Sequence, residues 1–300
     1  MFLVSGLLIV GGVASLLLPR GLNVGLEFTG GSSITLEFEE DVQVERLRTA
    51  LADLGHEDAL IQRVDSDTYF VRTRSLDETT GGEDSHRSQI LDGLESLLNV
   101  DLDSTGFFSV SPSIASETVR NAAIIVLLAS MAILFYITWA FRRINSPFTY
   151  GIAAIIALIH DVVMVLGLFS ILGRLVDLEV NAMFIAGVLT IIGYSVHDTI
   201  VVFDRIRENL ARGVARNLVD TVNLSIQDTL GRSLNTSLTM VFTIMALLLF
   251  GGVTIQDFLV VLFLGITVGT YSSIWIASQL LLTRESGGIV GLLTGRGNHS

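Results

Sequence analysis

Six apolar stretches divide the chain, and they constrain its fold more than any other feature. The first is short, and the other five are each near the ~20 residues that a helix needs to cross the hydrocarbon core. Half of all residues are hydrophobic and the mean hydropathy is +0.65, which is too apolar for a soluble domain of this length. We therefore predict a multi-span α-helical membrane protein with six transmembrane helices. The stretches are Phe2–Leu18, Val119–Phe141, Pro147–Leu172, Val180–Phe203, Leu234–Phe250 and Phe258–Leu282.

The first stretch could also be the apolar region of a secretory signal. No basic residues precede it, however, and no Ala-x-Ala-like cleavage site follows Pro19 and Arg20. These features favour a retained transmembrane helix over residues 1–18.

Residues 19–118 are predicted to form a solvated acidic domain. They contain 20 Asp or Glu and 7 Arg, a net charge of −13, whereas the rest of the chain is near neutral at +1. An acidic surface disfavours nucleic acid as a partner. The two histidines of this segment, His56 and His86, stand beside acidic residues and are expected to be solvated side chains without a catalytic role.

The acidic segment has the pattern of a small α+β domain. Ser33–Phe38 alternates as a strand does, and Val42–Leu54 has apolar residues at helical spacing. The order of elements, β-α-β-β-α-β, predicts an external ferredoxin-like domain. Its later elements are predicted as strands at Ala59–Val64 and Thr68–Thr73, a loop at Ser75–Asp84, a helix at Ser88–Leu98 and a strand at Phe107–Val110.

The arginines of the short loops predict the orientation in the membrane. One side has only Arg174, and the other has nine: Arg142, Arg143, Arg205, Arg207, Arg212, Arg216, Arg232, Arg284 and Arg296. The arginine-rich side is expected to be cytoplasmic. Both termini, with a tail at residues 285–300, would then lie inside the cell and residues 19–118 outside it.

Residues 206–231, between the fourth and fifth spans, are too polar to cross a membrane. Their apolar residues recur every four positions, which predicts a cytoplasmic amphipathic helix or helix pair along the membrane surface. These residues are Leu210, Val214, Leu218, Val222 and Ile226.

Ionisable residues inside the predicted spans are the candidate functional residues, because they are costly in hydrocarbon. The third span contains the pair His160 and Asp161, the fourth contains His197 and Asp198, and the fifth opens at Arg232. At a rise of ~1.5 Å per residue, both aspartates lie within the depth of the hydrocarbon.

A proton relay is the first hypothesis for these residues. Burial favours the protonated form of a carboxyl group, whereas a nearby arginine favours the charged form. Asp198 could therefore bind a proton and release Arg232 as its partner, and His160 and His197 could shuttle protons. The same residues also allow a second interpretation, a buried ion pair that only fixes the packing of the helices.

The sequence lacks the motifs of several other chemistries. It has no cysteine, so disulfides and thiolate metal sites are excluded. It has no P-loop, no H-E-x-x-H and no G-x-S-x-G. We expect no enzymatic activity, no cofactor and no metal site.

Four blocks of sequence together resemble the SecF family of the SecD–SecF protein-export complex, within the resistance-nodulation-division (RND) superfamily. They are Gly21–Gly31 (GLNVGLEFTGG), Ala157–Val162 (ALIHDV), Gly193–Asn209 (GYSVHDTIVVFDRIREN) and Thr229–Ser237 (TLGRSLNTS). Glu27 stands where the family usually has aspartate, and His197 where asparagine is common. The matching signature residues are Gly25, Glu27, Phe28, Gly30, Gly31, Gly193, Asp204, Arg205 and Arg207.

The resemblance implies an RND-type half of six spans in the cell (inner) membrane, paired with SecD as a heterodimer. It implies that proton flow drives the external domains, which draw unfolded secretory polypeptides from the SecYEG channel after SecA, with YajC as a further partner. In the family, an aspartate of the fourth span and an arginine of the fifth are associated with proton transport. They correspond here to Asp198 and Arg232.

Three alternatives remain open at this point. Half of another RND exporter is disfavoured by the small external domain. An intramembrane aspartyl protease is suggested by the two aspartates on neighbouring spans, but the G-x-G-D pattern of those enzymes is absent. A purely structural scaffold for SecD would need the same packing without proton movement.

Overall fold

The chain forms two compact units. The computed structural model describes residues 2–18, 21–38, 42–57, 59–63, 67–73, 83–98, 102–142, 147–176, 178–252 and 255–282. The smaller unit is Val24–Ala123, and the helical unit combines Met1–Asn23 with Ile124–Ser300. The predicted loop at Ser75–Asp84 and the predicted tail at 285–300 lie largely or wholly outside the described residues.

The smaller unit confirms the predicted order of elements. Helix α1 (Phe2–Leu17) precedes it, and it begins with a short helix, α2 (Leu26–Thr29), which the sequence did not predict. The four strands pair antiparallel in the order β2-β3-β1-β4, as a ferredoxin-like domain requires. The elements are β1 (Gly31–Phe38), α3 (Val44–Asp53), β2 (Leu60–Arg63), β3 (Thr68–Thr73), α4 (Glu83–Leu98) and β4 (Leu102–Val110).

Alternation along the central strand builds the core of this unit. Ile34, Leu36 and Phe38 of β1 are buried together with side chains from both helices, among them Leu47 and Leu94. Because successive residues of a strand point to opposite faces, one face of β1 can be wholly apolar.

The glycines of the Gly25–Gly31 signature form the turn that leads into β1. The amide of Gly30 donates to the carbonyl of Leu26 at 2.8 Å, where α2 ends. Gly30 and Gly31 have φ angles of 71° and 126°, which residues with a side chain rarely adopt. A Cβ on Gly30 would also lie 3.3 Å from the Cα of Pro112. The backbone therefore requires glycine at both positions.

The helical unit has five helices long and apolar enough to cross a membrane, counted over the described residues. The shorter α1, with 16 residues, is the sixth predicted span. The chain is thus a multi-pass membrane protein in which five of the six predicted helices have full spanning length. The five are α5 (Pro112–Ala140), α6 (Pro147–Val176), α7 (Ala182–Arg212), α8 (Leu218–Phe250), and α9 (Gln256–Ser272) continued by a π-helical turn (Ser273–Ala277) and α10 (Ser278–Leu282).

Residues 206–231 do not form a separate element. Residues 206–212 extend α7, and residues 218–231 belong to α8 without a break. Gly213, with a φ of 63°, ends α7, and the side chain of Asn217 caps α8. The four-residue periodicity thus belongs to the ends of two long helices that form a hairpin.

Helix α1 packs on α6 through two glycines that face each other. A Cβ on Gly12 would lie 2.8 Å from the Cα of Gly167. Beyond this crossing, the hydroxyls of Ser15 and Ser170 are 2.8 Å apart, and Arg174 donates to the carbonyl of Ser15 at 2.6 Å. Small residues let the backbones of membrane helices approach closely.

Gly12→Ala is expected to destabilise the protein by about 1–3 kcal/mol, because a backbone atom of α6 cannot move aside for the new methyl group. Thermal unfolding in detergent measures the effect. Gly11→Ala is the matched control, since among the described residues nothing lies within 4 Å of a Cβ at that position. Equal unfolding temperatures for the two variants would contradict the close contact between α1 and α6.

Helices α7 and α9 interlock through two glycines and two large side chains. A Cβ on Gly265 of α9 would lie 2.0 Å from Cδ1 of Ile191, and one on Gly187 of α7 would lie 2.8 Å from Cγ1 of Val261. Each glycine thus receives a large side chain of the other helix. This interlocking makes α7 and α9 a rigid pair.

Candidate functional site

The first predicted aspartate, Asp161, is fully buried where α6 meets α7. The hydroxyl of Ser195 on α7 donates to its Oδ2 at 2.5 Å. Nδ1 of His160 lies 3.0 Å from its Oδ1, and the other ring nitrogen of His160 contacts the hydroxyl of Ser5 on α1. Both oxygens of Asp161 therefore have partners, and the group joins three helices.

The second predicted aspartate, Asp198, lies where α7 meets α8 and is 6% exposed. The hydroxyl of Ser233 on α8 donates to its Oδ1 at 2.6 Å. Its Oδ2 is buried and has no hydrogen-bond partner among the described residues. A buried polar atom without a partner is rare in folded proteins and needs a functional or structural reason. Oδ2 is therefore the oxygen of Asp198 that the described residues leave unsatisfied.

Hydroxyl groups continue from Asp198 along the same helices. The phenol of Tyr194 on α7 is 2.9 Å from the hydroxyl of Ser237 on α8, which is 2.6 Å from the hydroxyl of Thr270 on α9. A second pair, Thr199 of α7 and Ser273 of the π-helical turn, is 2.9 Å apart. Hydroxyl groups therefore line the contact between α7, α8 and α9.

The structure does not pair Asp198 with Arg232. Arg232 has an exposed side chain, and in the described part of the chain no hydrogen bond or ion pair joins it to Asp198. Its neighbour Ser233 occupies that position instead, because consecutive residues of a helix point about 100° apart. His197 directly precedes Asp198 on α7, so its side chain points in a different direction and is exposed.

Charged residues of the family signature hold the hairpin of α7 and α8 together. Arg205 contacts Asp228 of α8 at 2.8 Å and Glu208 at 2.7 Å. Asp204 pairs with Arg207 at 2.5 Å on the same helix. These side chains are about one-third to one-half exposed, so each pair contributes little to stability, and of the three pairs only Arg205–Asp228 joins α7 to α8.

Sequence reasoning missed the hydroxyl partners of both aspartates. Serine in an apolar run is common and is ordinarily satisfied by its own helix, so Ser195 alone carries no signal. A signal was available on α8, where Ser or Thr recurs at every fourth position: Thr221, Ser225, Thr229, Ser233 and Ser237. The described residues contain no group of three His, Asp or Glu side chains arranged to hold a metal ion.

No described hydrogen bond joins the two aspartates into the pair that an aspartyl protease uses. An aspartyl protease needs both carboxyl groups at hydrogen-bonding distance across one water. Here Asp161 and Asp198 have different hydroxyl partners, on different helices. The fold and the site instead define a multi-pass membrane protein with separate buried carboxyl groups and a ferredoxin-like domain.

Comparison with known proteins places the chain within this class. The family described as "Protein export membrane protein SecD/SecF, C-terminal" matches residues 92–286, and the "SecD/SecF GG Motif" matches residues 16–42. A protein translocase subunit SecF of Thermobaculum terrenum is 42% identical over 95% of this chain and 91% of its own. The SecF of Anaerolinea thermophila is 39% identical over 89% and 86%. The chain belongs to the SecF family of protein translocase subunits.

A solved structure agrees with this assignment. The crystal structure of SecDF from Thermus thermophilus, a translocon-associated membrane protein, matches with a TM-score of 0.77 at 36% identity over 93% of this chain. The match covers 36% of the SecDF chain, so this protein spans about a third of that length. Relatives named SecDF support SecD as a partner.

Proposed function

We propose that the chain is the SecF-like subunit of a SecD–SecF complex that uses the proton motive force to assist export through SecYEG after SecA. The observation that carries the proposal is Asp198, a buried carboxyl group with one oxygen held by Ser233 and the other without a partner. An ionisable group in a membrane helix is costly and marks an ion or proton pathway by default. Its cargo would be unfolded secretory polypeptides, and YajC would be a further partner.

Asp161 and Asp198 have different roles in this proposal. Both oxygens of Asp161 have hydrogen-bond partners, Ser195 and His160, which suits a group that holds α6 to α7. Asp198 has the oxygen that binds and releases the proton. His160 contacts both Asp161 and Ser5 of α1, and in this proposal it holds Asp161 in place. Arg232 is the counter-charge of deprotonated Asp198.

The distribution of arginine supports the orientation. The hairpin that joins α7 to α8 carries Arg205, Arg207, Arg212 and Arg216, and loops rich in arginine stay in the cytoplasm. Both termini would be cytoplasmic in the cell membrane. The acidic domain would lie outside, where exported polypeptides emerge.

A polar face of α7 and α8 is the proposed contact with SecD. On α7 its exposed residues recur at helical spacing: Ala186, Thr190, Gly193 and His197. On α8 they are Arg232, Asn235, Thr236, Thr239 and Thr243.

The exposed residues of this polar face border the contact between α7 and α8. Gly193 directly precedes Tyr194, which contacts Ser237, and Arg232 directly precedes Ser233, which contacts Asp198. Lipid offers no hydrogen bonds to arginine or asparagine, whereas a partner helix does, and small residues let that helix approach.

Gly193→Trp is expected to abolish co-purification with SecD, because a Cβ there meets no atom of the described residues within 4 Å and the indole would occupy the space of the partner helix. Affinity purification from detergent-solubilised membranes measures this. Leu7→Trp is the control, since Leu7 is an exposed apolar residue on α1 and should retain SecD. Normal SecD recovery with Gly193→Trp would show that the contact lies elsewhere.

Export by membrane vesicles, with and without a proton gradient, tests the proposed function. The gradient should increase export only when this chain and SecD are both present. The deciding variant, Asp198→Asn, is treated in the Discussion.

A further inference from the structure

Helix α5 is the least covered of the five long helices in the described part of the chain. In its most apolar window 6% of α5 is buried, against 17% of α8 and 50% of α6. It is fixed to α6 near its end, where a Cβ on Gly151 would lie 2.8 Å from Oγ1 of Thr138. The ring of Phe141, just after α5, stacks on that of Tyr150 with centroids 5.3 Å apart. The described residues leave most of its remaining membrane surface uncovered.

One uncovered face of α5 is apolar from the middle of the helix to its end. Its residues are spaced by three, four and four positions, which places them on one side of a helix. They are between 55% and 75% exposed: Leu128, Met131, Phe135 and Trp139. From the first to the last of them the face is about 16 Å long, roughly half of the ~30 Å hydrocarbon core. The face therefore has the length of one leaflet.

Arg142 stands at the end of this face. The helical turn continues to it, because its amide donates to the carbonyl of Trp139 at 3.3 Å. Its guanidinium lies 4.7 Å from the centroid of the Trp139 ring. A guanidinium held over an aromatic ring keeps its in-plane N–H donors, which match the oxygens of a phosphate. Tryptophan is typical of the membrane–water interface, so this arginine stands at the depth of the lipid headgroups.

No acid of the same segment balances the charge at the end of α5. Arg143 follows directly, and residues 118–160 contain no Asp or Glu. Arg142 is exposed, and no carboxylate among the described residues pairs with it. Arg207 of α7, in contrast, pairs with Asp204 at 2.5 Å. The end of α5 therefore presents a positive charge to an anion from outside the chain.

We propose that this face of α5 binds a phospholipid with an anionic headgroup. The phosphate accepts hydrogen bonds from Arg142, and one acyl chain lies along Phe135, Met131 and Leu128. A zwitterionic headgroup carries an ammonium group that the arginine repels, whereas a glycerol headgroup carries no positive charge. The bound lipid covers the part of α5 that the other helices leave uncovered.

Quenching of tryptophan fluorescence tests this binding. The chain has two tryptophans, and Trp275→Phe leaves Trp139 as the single reporter. The full chain is reconstituted into phosphatidylcholine vesicles that contain the same small fraction of brominated phosphatidylglycerol or brominated phosphatidylcholine. We expect a preference of about fivefold for phosphatidylglycerol at Trp139, which corresponds to one arginine near an anionic lipid. Equal quenching by the two lipids would overturn the proposal.

Arg142→Gln is the deciding variant, and it should abolish the preference for phosphatidylglycerol. Arg142→Lys keeps the charge and should retain most of it. Arg212→Gln is the matched control, because Arg212 is an exposed arginine that already pairs with Glu208 at 2.6 Å. It should leave the preference unchanged. An equal loss in Arg212→Gln would show that overall charge, rather than the end of α5, attracts the lipid, and the proposal would be withdrawn.

A protein on this face of α5 would give a different result. A second copy of the chain lying there would shield Trp139, so the absence of quenching by either lipid would also overturn the proposal. The same measurement with a tryptophan-free SecD should give the same preference, and its loss would assign the face to SecD instead. Neither a proton gradient nor export is needed, so failure here would leave the proposed function untouched.

Discussion

Asp198→Asn is expected to reduce export to the level seen without a proton gradient, while SecD still co-purifies. Asparagine has nearly the same shape as aspartate, and its side-chain oxygen can accept the hydrogen bond that Ser233 now donates to Oδ1 at 2.6 Å. Its amide cannot bind and release a proton in the physiological range. The variant therefore keeps the packing of α7 on α8 and loses the titratable group.

Export of a model polypeptide into membrane vesicles, with the proton gradient set by buffer and removed by an uncoupler, measures the effect. Asp220→Asn is the matched control, because Asp220 is an exposed carboxylate in the first turn of α8 and lies outside the buried site. It should respond to the gradient as the unchanged protein does. Gradient-dependent export at the normal level in Asp198→Asn would rule out Asp198 as the proton-binding group and would favour the structural interpretation of its burial.

Gly265→Ala is expected to destabilise the contact between α7 and α9 strongly. The new Cβ would lie 2.0 Å from Cδ1, 2.2 Å from Cγ1 and 2.7 Å from Cγ2 of Ile191, so the whole side chain of Ile191 would have to move. Ile191 is 2% exposed and has little space for another rotamer. Overpacking of this kind costs about 1–3 kcal/mol, and here we expect the upper end of that range.

Thermal unfolding of the purified protein in detergent measures this loss. Ile191→Ala/Gly265→Ala is the informative partner variant, because removing the isoleucine makes room for the added methyl group. The double variant should be more stable than the sum of the two single effects predicts, since residues in direct contact do not act additively. Additive effects would indicate that the side chain of Ile191 does not pack against Gly265.

The spans and the small domain could be read from the sequence because they depend on local periodicity. Apolar runs of sufficient length identify α5 to α9, and alternation in Ser33–Phe38 identifies β1. Asp161 and Asp198 could be found because charge is costly in hydrocarbon. Each of these signals is contained in the segment itself.

The partners of the aspartates could not be read in the same way. Whether Ser233 or Arg232 meets Asp198 depends on a rotation of α8 of about 100°, which packing against α7 and α9 decides. The π-helical turn at Ser273–Ala277, which places Ser273 beside Thr199, likewise has no sequence signal of its own. The prediction that residues 206–231 are separate from the spans was wrong because polar residues interrupt the apolar runs there, although both helices continue through the segment up to Gly213 and from Leu218.

The internal hydrogen bonds of α8 bear on how the protein is made. Ser225, Thr229 and Ser237 each donate to a carbonyl of their own helix, at 2.7 to 2.9 Å. A hydroxyl satisfied in this way enters hydrocarbon at little cost, so α8 can be inserted into the bilayer as a single helix during synthesis. The carboxyl groups of Asp161 and Asp198, in contrast, each accept a hydrogen bond from a serine of another helix. We therefore expect α6 and α7 to reach full stability in the membrane only after the helices that carry Ser195 and Ser233 have packed against them.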